Sequence, residues 1–505
     1  MKPIPLKLPP GLQRNDTPYS STGRWTDGNL VRWRDATVRP IGGWLRRQDT
    51  FGVDIPALFS DSAAEAVRDV FGWRALDGAL NVVFGSNLKL YHMSQAGAIT
   101  DITPAGGSTS AKSPVINVGY GGSPYGLGAY GVSNNLAGVD PTPPLRWAFA
   151  TFGELLLAVQ RNDAGGTGLI YELNLVTLAL SAVTNAPEHT QDIIVTQERQ
   201  VFAIGVNGEP RAIAFSEVEN RAVWAPAQAN QAGSRTLAGD GKLLTAVQIA
   251  SGVLLVGVSD AVLATYIGPP YVYRTAQVGT QCGTVAADAV VATDTFAVWL
   301  GKETFWVYDG TLQPLPCEVL DYLIEDMDKS QLSTVVGTSA HASSEIWWLY
   351  QSNDGASIDK YVSWNYVQNV WMTGSLSRTA AMDADPVASP LMITPDGVIY
   401  NHEVNGVMPD GTVFCATGPM EIGSGERVLC VGSVLPDTAD VGDVSMTLYG
   451  RDMPTATEYA YGPYAYANPT SVRASGRQIR LRMDLLSSSA RVGTMRLVVT
   501  PGAGR

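Results

Sequence analysis

Apolar and polar positions along this chain alternate in short period-two runs, broken by turns rich in Gly, Asn and Asp. That pattern predicts strands and tight hairpins rather than long helices. The runs group into units: ALNVVFGSNLKLYHM (79–93), RWAFATFGELLLAVQ with GLIYELN (146–174), DIIVTQERQVFAIG with RAIAFSE (192–217) and LTAVQIASGVLLVGVSDAVLATYIG (244–268). DAVVATDTFAVWLGKETFWVYDG (288–310), SSEIWWLYQSNDGASIDKYVSWNYVQNVWM (343–372) and PLMITPDGVIYNHEV (390–404) follow. Tyr91, Tyr171, Phe215, Tyr266, Tyr308, Tyr361 and Tyr400 mark their ends, at spacings of 80, 44, 51, 42, 53 and 39 residues. After the first gap this is close to the ~40–50 residues of one four-stranded propeller blade. The expected fold is all-β, with a β-propeller of about six blades (one more or fewer) over residues 66–408. Two stacked β-sandwiches are the rival, and they lack such a period.

Three stretches depart from the repeat. Residues 1–65 form an expected N-terminal arm, in which RWTDGNLVRWRDATVRPIGGWLRR (24–47) interleaves Trp25, Trp33 and Trp44 with arginines. Such interleaving can stack on bases or serve a protein interface. Residues 409–505 alternate as VSMTLYGRD, SGRQIRLRMDLL and GTMRLVVTP, the pattern of a C-terminal β-sandwich with one face of each strand buried. The oversized first gap holds a Gly/Tyr-rich insertion at 106–144 with Tyr120, Tyr125 and Tyr130 at five-residue intervals, a candidate projecting loop. One helix is expected within 317–331, where Val319, Leu320, Leu323, Ile324 and Met327 form a single apolar stripe.

Composition narrows the function classes. Of 505 residues, 45% are apolar and 16% charged, so a large core is affordable and global disorder is excluded. No run approaches the ~20 apolar residues of a membrane span, and MKPIPLKLPPGLQRND lacks the apolar segment of a secretory signal. Synthesis in a cytoplasm without membrane insertion is expected. The four cysteines form no CxxC pair and the four histidines are scattered, so free buried thiols are expected, with no metal or cofactor. Whether Cys415 and Cys430 pair is open at this level.

Net charge is −13, with +5 in residues 1–50 and +6 in 471–505, leaving −24 for 51–470. An acidic body with basic ends does not suit a protein gripping DNA along its length. It suits subunits whose termini dock on acidic neighbours. Motif chemistry is sparse. GDGKLL (239–244) lacks the spacing and the hydroxyl residue of a P-loop, and no HExxH or GxSxG occurs. SNDGASIDKYVSW (352–364) is a misspaced, unrepeated near miss to the aspartate box of sialidase-type propellers, and Asn353-Asp354-Gly355 reads as a turn. A non-enzymatic protein is expected, with chance pairing among 47 acids the only route to glycoside cleavage.

Three segments together resemble the tail hub, or nozzle, proteins of short-tailed bacteriophages, also called packaged-DNA stabilisation proteins. They are GLQRNDTPYSSTGRWTDGNLVRWRDATVRPIGGW, QVGTQCGTVAADAVVATDTFAVWLGKETFWVYDGTLQPL (277–315) and RASGRQIRLRMDLLSSSARVGTMRLVVTP. The resemblance implies a structural virion protein assembled as a homohexameric ring below portal and adaptor. It would continue the DNA channel, retain packaged DNA, and anchor a tail fibre or spike and a needle or plug. Double-stranded DNA would pass without sequence-specific binding. Candidate interface residues are Arg24, Trp25, Arg32, Trp33, Arg34, Arg39, Trp44, Arg480 and Arg482, with burial inside their own domain the rival placement. The alternative function is a host-receptor-binding or glycan-cleaving β-propeller, with acids and arginines converging on its axis.

Overall fold

Each apolar unit folds into an antiparallel sheet of four strands, and seven such sheets follow one another along the chain. The structure is a computed structural model that describes residues 2–17, 19–114, 142–421, 427–437 and 442–504. Blades 1 to 6 span 67–101, 147–182, 192–236, 243–280, 290–315 and 336–375. Blade 7 takes three strands from 380–404, and its outer strand is Gly43–Arg46, paired antiparallel with Ile399–Val404. The innermost strands pack side by side in sequence order, and that of blade 7 packs against that of blade 1. The circle is therefore closed, by a strand from the other end of the chain.

The chain is a seven-bladed β-propeller, at the upper edge of the expected count. All seven aromatic landmarks lie on the third strand of successive blades. Alternation explains why. In Leu80–Ser86 of blade 1, Val82 and Phe84 pack toward blade 7 while Val83 packs toward blade 2. In blade 3, Val201 and Ala203 face blade 2 while Phe202 and Ile204 face blade 4. Middle strands, covered on both faces, are fully buried, whereas outer strands such as Ala179–Ala182 are exposed. The helix within 317–331 is shorter than its apolar stripe, Leu320–Asp326, followed by a 3₁₀ turn at Lys329–Thr334. Val319, Leu323 and Met327 anchor it in the core between blades 5 and 6.

The C-terminal region is a β-sandwich completed by N-terminal strands. One sheet runs in the order 25–29, 414–417, 478–485, 444–451, 459–465, and the other 2–6, 495–504, 427–435, 470–476. Ile479, Leu481 and Met483 point into the sandwich while Arg480, Arg482 and Asp484 are half-buried, as the alternation predicts. The expected separate arm over 1–65 does not exist as such. Lys2–Leu6 and Trp25–Asn29 belong to the sandwich, Gly43–Arg46 belongs to blade 7, and Leu12 lies wholly buried, its amide donating to the Trp371 carbonyl of blade 6. All four thiols are free. Cys282, Cys317 and Cys415 are buried as expected, but Cys430 is exposed. Cys415 and Cys430 sit on strands of the two different sheets.

Candidate functional site

The Arg/Trp segment turns inward. Trp25, Trp33 and Trp44 are 3%, 2% and 9% exposed, so these interface candidates are core residues of their own chain. Large aromatic area removed from water holds the segment there. Trp25 lies 6.3 Å from Trp33, and Trp44 stacks on His402 at 5.1 Å. The cation over Trp44 is Arg378 of blade 7, which also lies 4.8 Å from the Tyr400 ring and donates from Nε to His402 Nε2 at 2.9 Å. Burial, then the Arg378 charge, holds His402 well below its ordinary pKa, so it is the neutral acceptor this bond needs.

Four of the arginines are also taken up internally. Arg24 forks onto Glu318 at 2.8 Å. Arg32 forks onto Glu403 at 2.7 and 2.9 Å and reaches buried Glu345 at 3.1 Å. Burial opposes the Arg32 charge, but Glu345 and then Glu403 outweigh it and raise its pKa. Arg480 pairs with Glu458 over the Tyr449 ring, and Arg482 pairs with Asp484 over the Phe414 ring. The fold brings the partners of Arg24, Arg32 and Arg480 close, whereas Arg482 takes Asp484 two residues on along its own strand. Arg34 and Arg39 differ. They lie on the hairpin Val31–Arg34/Thr37–Pro40, which is bridged through Val38 to Val492, next to Arg491. None of Arg34, Arg39 and Arg491 makes an ion pair among the described residues, and Arg39 Nε is buried without a hydrogen-bond partner. Burial, then Arg491 and Arg34, lowers the Arg39 pKa. Tyr120, Tyr125 and Tyr130 lie outside the described residues.

A second charged cluster lies on the propeller axis, which composition and motifs did not reveal. Asp69, Asp192 and Asp288 enter the inner strands of blades 1, 3 and 5, while Arg146 precedes that of blade 2 and Arg161 follows its second strand. Arg146 Nη1 lies 2.6 Å from Asp288 Oδ2, and its Nε lies 3.9 Å from Asp69 Oδ1. Arg161 reaches Asp288 Oδ1 at 3.0 Å and Asp192 Oδ2 at 3.4 Å. The acids also staple blade to blade. Asp69 accepts from the Trp147 amide at 2.8 Å, and Asp192 from the Ala246 amide at 3.0 Å and the Thr245 hydroxyl at 2.7 Å.

Burial, then the Asp288 charge, pushes the Asp69 carboxyl up to about 8. Burial works against Asp288 too, but Arg146 and Arg161 hold it below the usual carboxylate range. Burial also raises the Asp192 pKa, against the pull of Arg161, and buried Arg68 beside Asp69 adds a third arginine to the belt. A sequence signal existed: a charged residue heading an apolar run, repeated from blade to blade.

The belt divides the axis. On one side a cavity of about 250 Å³ is lined by inner-strand residues of six blades, including Val70, Phe149, Ile194, Ala246, Gly337 and Ala381, and by Asp288 from the turn before the inner strand of blade 5. On the other side a cavity of about 580 Å³ opens where the inner strands begin, with Arg146 and Arg161 at its floor and Lys242, Lys302 and Lys329 around it. Among the described residues no group of His, Cys, Asp and Glu is arranged to hold a metal ion. No described helix is long and apolar enough to cross a membrane.

No protein-family model and no curated protein matches the chain. Among solved structures it is similar to Hsv2 of Kluyvelomyces marxianus, at 8% identity and a TM-score of 0.32, over 52% of this chain and 72% of that one. It is also similar to virginiamycin B lyase from Staphylococcus aureus, at 8% identity and a TM-score of 0.40, over 68% of this chain and 97% of that one.

Proposed function

We propose that the chain is a structural ring subunit, the tail hub or nozzle of a short-tailed phage, working in the virion rather than as an enzyme. The observation that carries this reading is the Arg34, Arg39 and Arg491 cluster. Three like charges crowd together without an ion pair among the described residues, offset at Arg39 only in part by Asp35 of the same hairpin, while residues 51–470 carry −24. Like charges held together raise the free energy of the isolated chain. An acidic surface of a neighbouring copy relieves that cost, and a cyclic ring requires contact between two such different surfaces. The belt fills the propeller's own axis, so in this reading DNA runs through the hole between copies, where an acidic wall repels phosphate. Adaptor, fibre or spike, and needle or plug attach to the ring. Consistent with a non-enzymatic role, the three axial carboxyl groups are engaged by arginines or backbone amides.

The test is native mass spectrometry of the wild type and of Arg34→Glu/Arg491→Glu. The expected result is a hexamer for the wild type and a folded monomer for the double variant. A wild-type monomer, or a variant that still forms rings, overturns the proposal. A second reading, a receptor- or glycan-binding propeller, draws on the open axial cavity. Saturable binding on a glycan array, or release of reducing sugar, would favour it.

A further inference from the structure

The 580 Å³ cavity at the axis mouth is built unlike the rest of the surface. Its floor is Arg146, 3% exposed, whose Nη2 has no hydrogen-bond partner and whose Nε faces Asp69 at 3.9 Å, and Arg161, 5% exposed, whose Nε has no hydrogen-bond partner. Ser333 Oγ, also on the wall, is buried and unpartnered. The belt acids pair with the two arginines, and the cavity's other charged groups stand on its rim. Lys242, Lys302 and Lys329 stand there against one acid, Asp163, which lies 3.8 Å from Lys242.

Lys242 is held in place with some care. It belongs to the GDGK segment, which is not a P-loop. Buried Arg211 pins the loop before it, donating to the carbonyls of Ala238 at 3.0 Å, Asp240 at 3.1 Å and Gly241 at 3.3 Å while forking onto Asp260 at 3.0 and 2.8 Å. The remaining wall is largely apolar: Pro143, Leu244, Val258, Val285, Ala286, Ala287.

We infer that this cavity is a binding site for a phosphate group, free or on a small organic body. Three lysines against one aspartate leave an excess of two positive charges. A phosphate monoester carries about −1.5 to −2 at neutral pH, with three acceptor oxygens, which matches that charge. The apolar wall and the volume leave room for an organic remainder. The site is independent of the ring reading: it lies on the propeller axis, away from the Arg34 hairpin, and its test does not depend on assembly.

The experiment is isothermal titration calorimetry at pH 7.5 and low salt, with glucose 6-phosphate, inorganic phosphate and glucose as separate titrants. Saturable one-to-one heat is expected with glucose 6-phosphate or inorganic phosphate and not with glucose, and the tighter of the two identifies the source. Lys302→Gln/Lys329→Gln removes two exposed rim charges without touching the belt and should weaken binding by at least about tenfold, one charge-assisted contact's worth. Lys7→Gln/Arg473→Gln makes the same change in net charge at exposed positions outside the cavity and should leave affinity unchanged. Absence of saturable binding by either phosphate titrant overturns the inference. So does binding that the rim variant leaves intact or that both double variants weaken equally.

Discussion

Arg32 is the residue whose removal tests most sharply how the N-terminal segment is held. It sits between Glu403 of blade 7 and Glu345 of blade 6, and Glu345 is only 1% exposed. Arg32→Ala removes the fork onto Glu403, which is 22% exposed and can be rehydrated. It also strips Glu345 of its cation, leaving the Trp347 indole N–H at 3.0 Å as the donor that remains. Removing one partner of a buried pair costs about 3–5 kcal/mol, and the surviving indole bond places the expectation near the lower end, roughly 3 kcal/mol.

The cost depends on pH. Burial already raises the Glu345 pKa, against Arg32's opposing pull, and losing Arg32 raises it further. A carboxyl whose folded pKa exceeds its unfolded value of about 4.3 stabilises the fold below that value. The stabilisation is lost as pH rises through the folded pKa. The penalty of Arg32→Ala should therefore be larger at pH 7 than at pH 5. Urea denaturation followed by tryptophan fluorescence at both pH values measures it. Adding Glu345→Gln should recover about 1 kcal/mol or more as a coupling term. A loss below about 1 kcal/mol at pH 7, or an equal loss at both pH values, refutes the internal role and returns Arg32 to the interface candidates.

Other expectations are briefer. Asp69 is protonated in the fold up to about pH 8, so its contribution is full below about pH 4 and fades as pH rises through 8. The melting temperature should fall more between pH 6 and 9 for the wild type than for Asp69→Asn, and equal falls would deny the raised pKa. Trp348 is fully buried, 4.7 Å from Phe305, and donates to the Ala289 carbonyl at 2.9 Å; Trp348→Ala should cost about 3–5 kcal/mol by denaturant titration. A Cβ on Gly43 would lie 2.6 Å from the Val407 carbonyl oxygen and 2.7 Å from that of Met408. Gly43→Val should therefore loosen blade 7, costing about 1–3 kcal/mol and speeding amide exchange in 399–404, and unchanged exchange there would count against closure by this strand.

Much of the propeller was legible because blade formation is local. Three strands of each blade are consecutive, and both faces of the middle strand are buried by neighbouring blades, so the apolar runs and their third-strand aromatics are written directly into the chain. Blade 7 was harder to count because its outer strand, Gly43–Arg46, lies some 350 residues before its partner, Ile399–Val404. Pairing at that separation leaves no mark in a local window. The sandwich strands were equally local, but their partners Lys2–Leu6 and Trp25–Asn29 were not.

For the functional surface the division falls elsewhere. Sequence alone established that the ends are basic, the body acidic, and that Trp and Arg concentrate near the N-terminus. It could not say which arginines are free, because that depends on whether a carboxylate lies within about 4 Å in space. Tertiary structure put Glu403 on Arg32 and Glu318 on Arg24 but, among the described residues, no ion-pairing acid on Arg34 or Arg491. It likewise drew Asp69, Arg146, Arg161, Asp192 and Asp288, unremarkable one by one, onto a single axis. Charge follows from composition, but its availability is decided by distance, and distance by the closing of the ring.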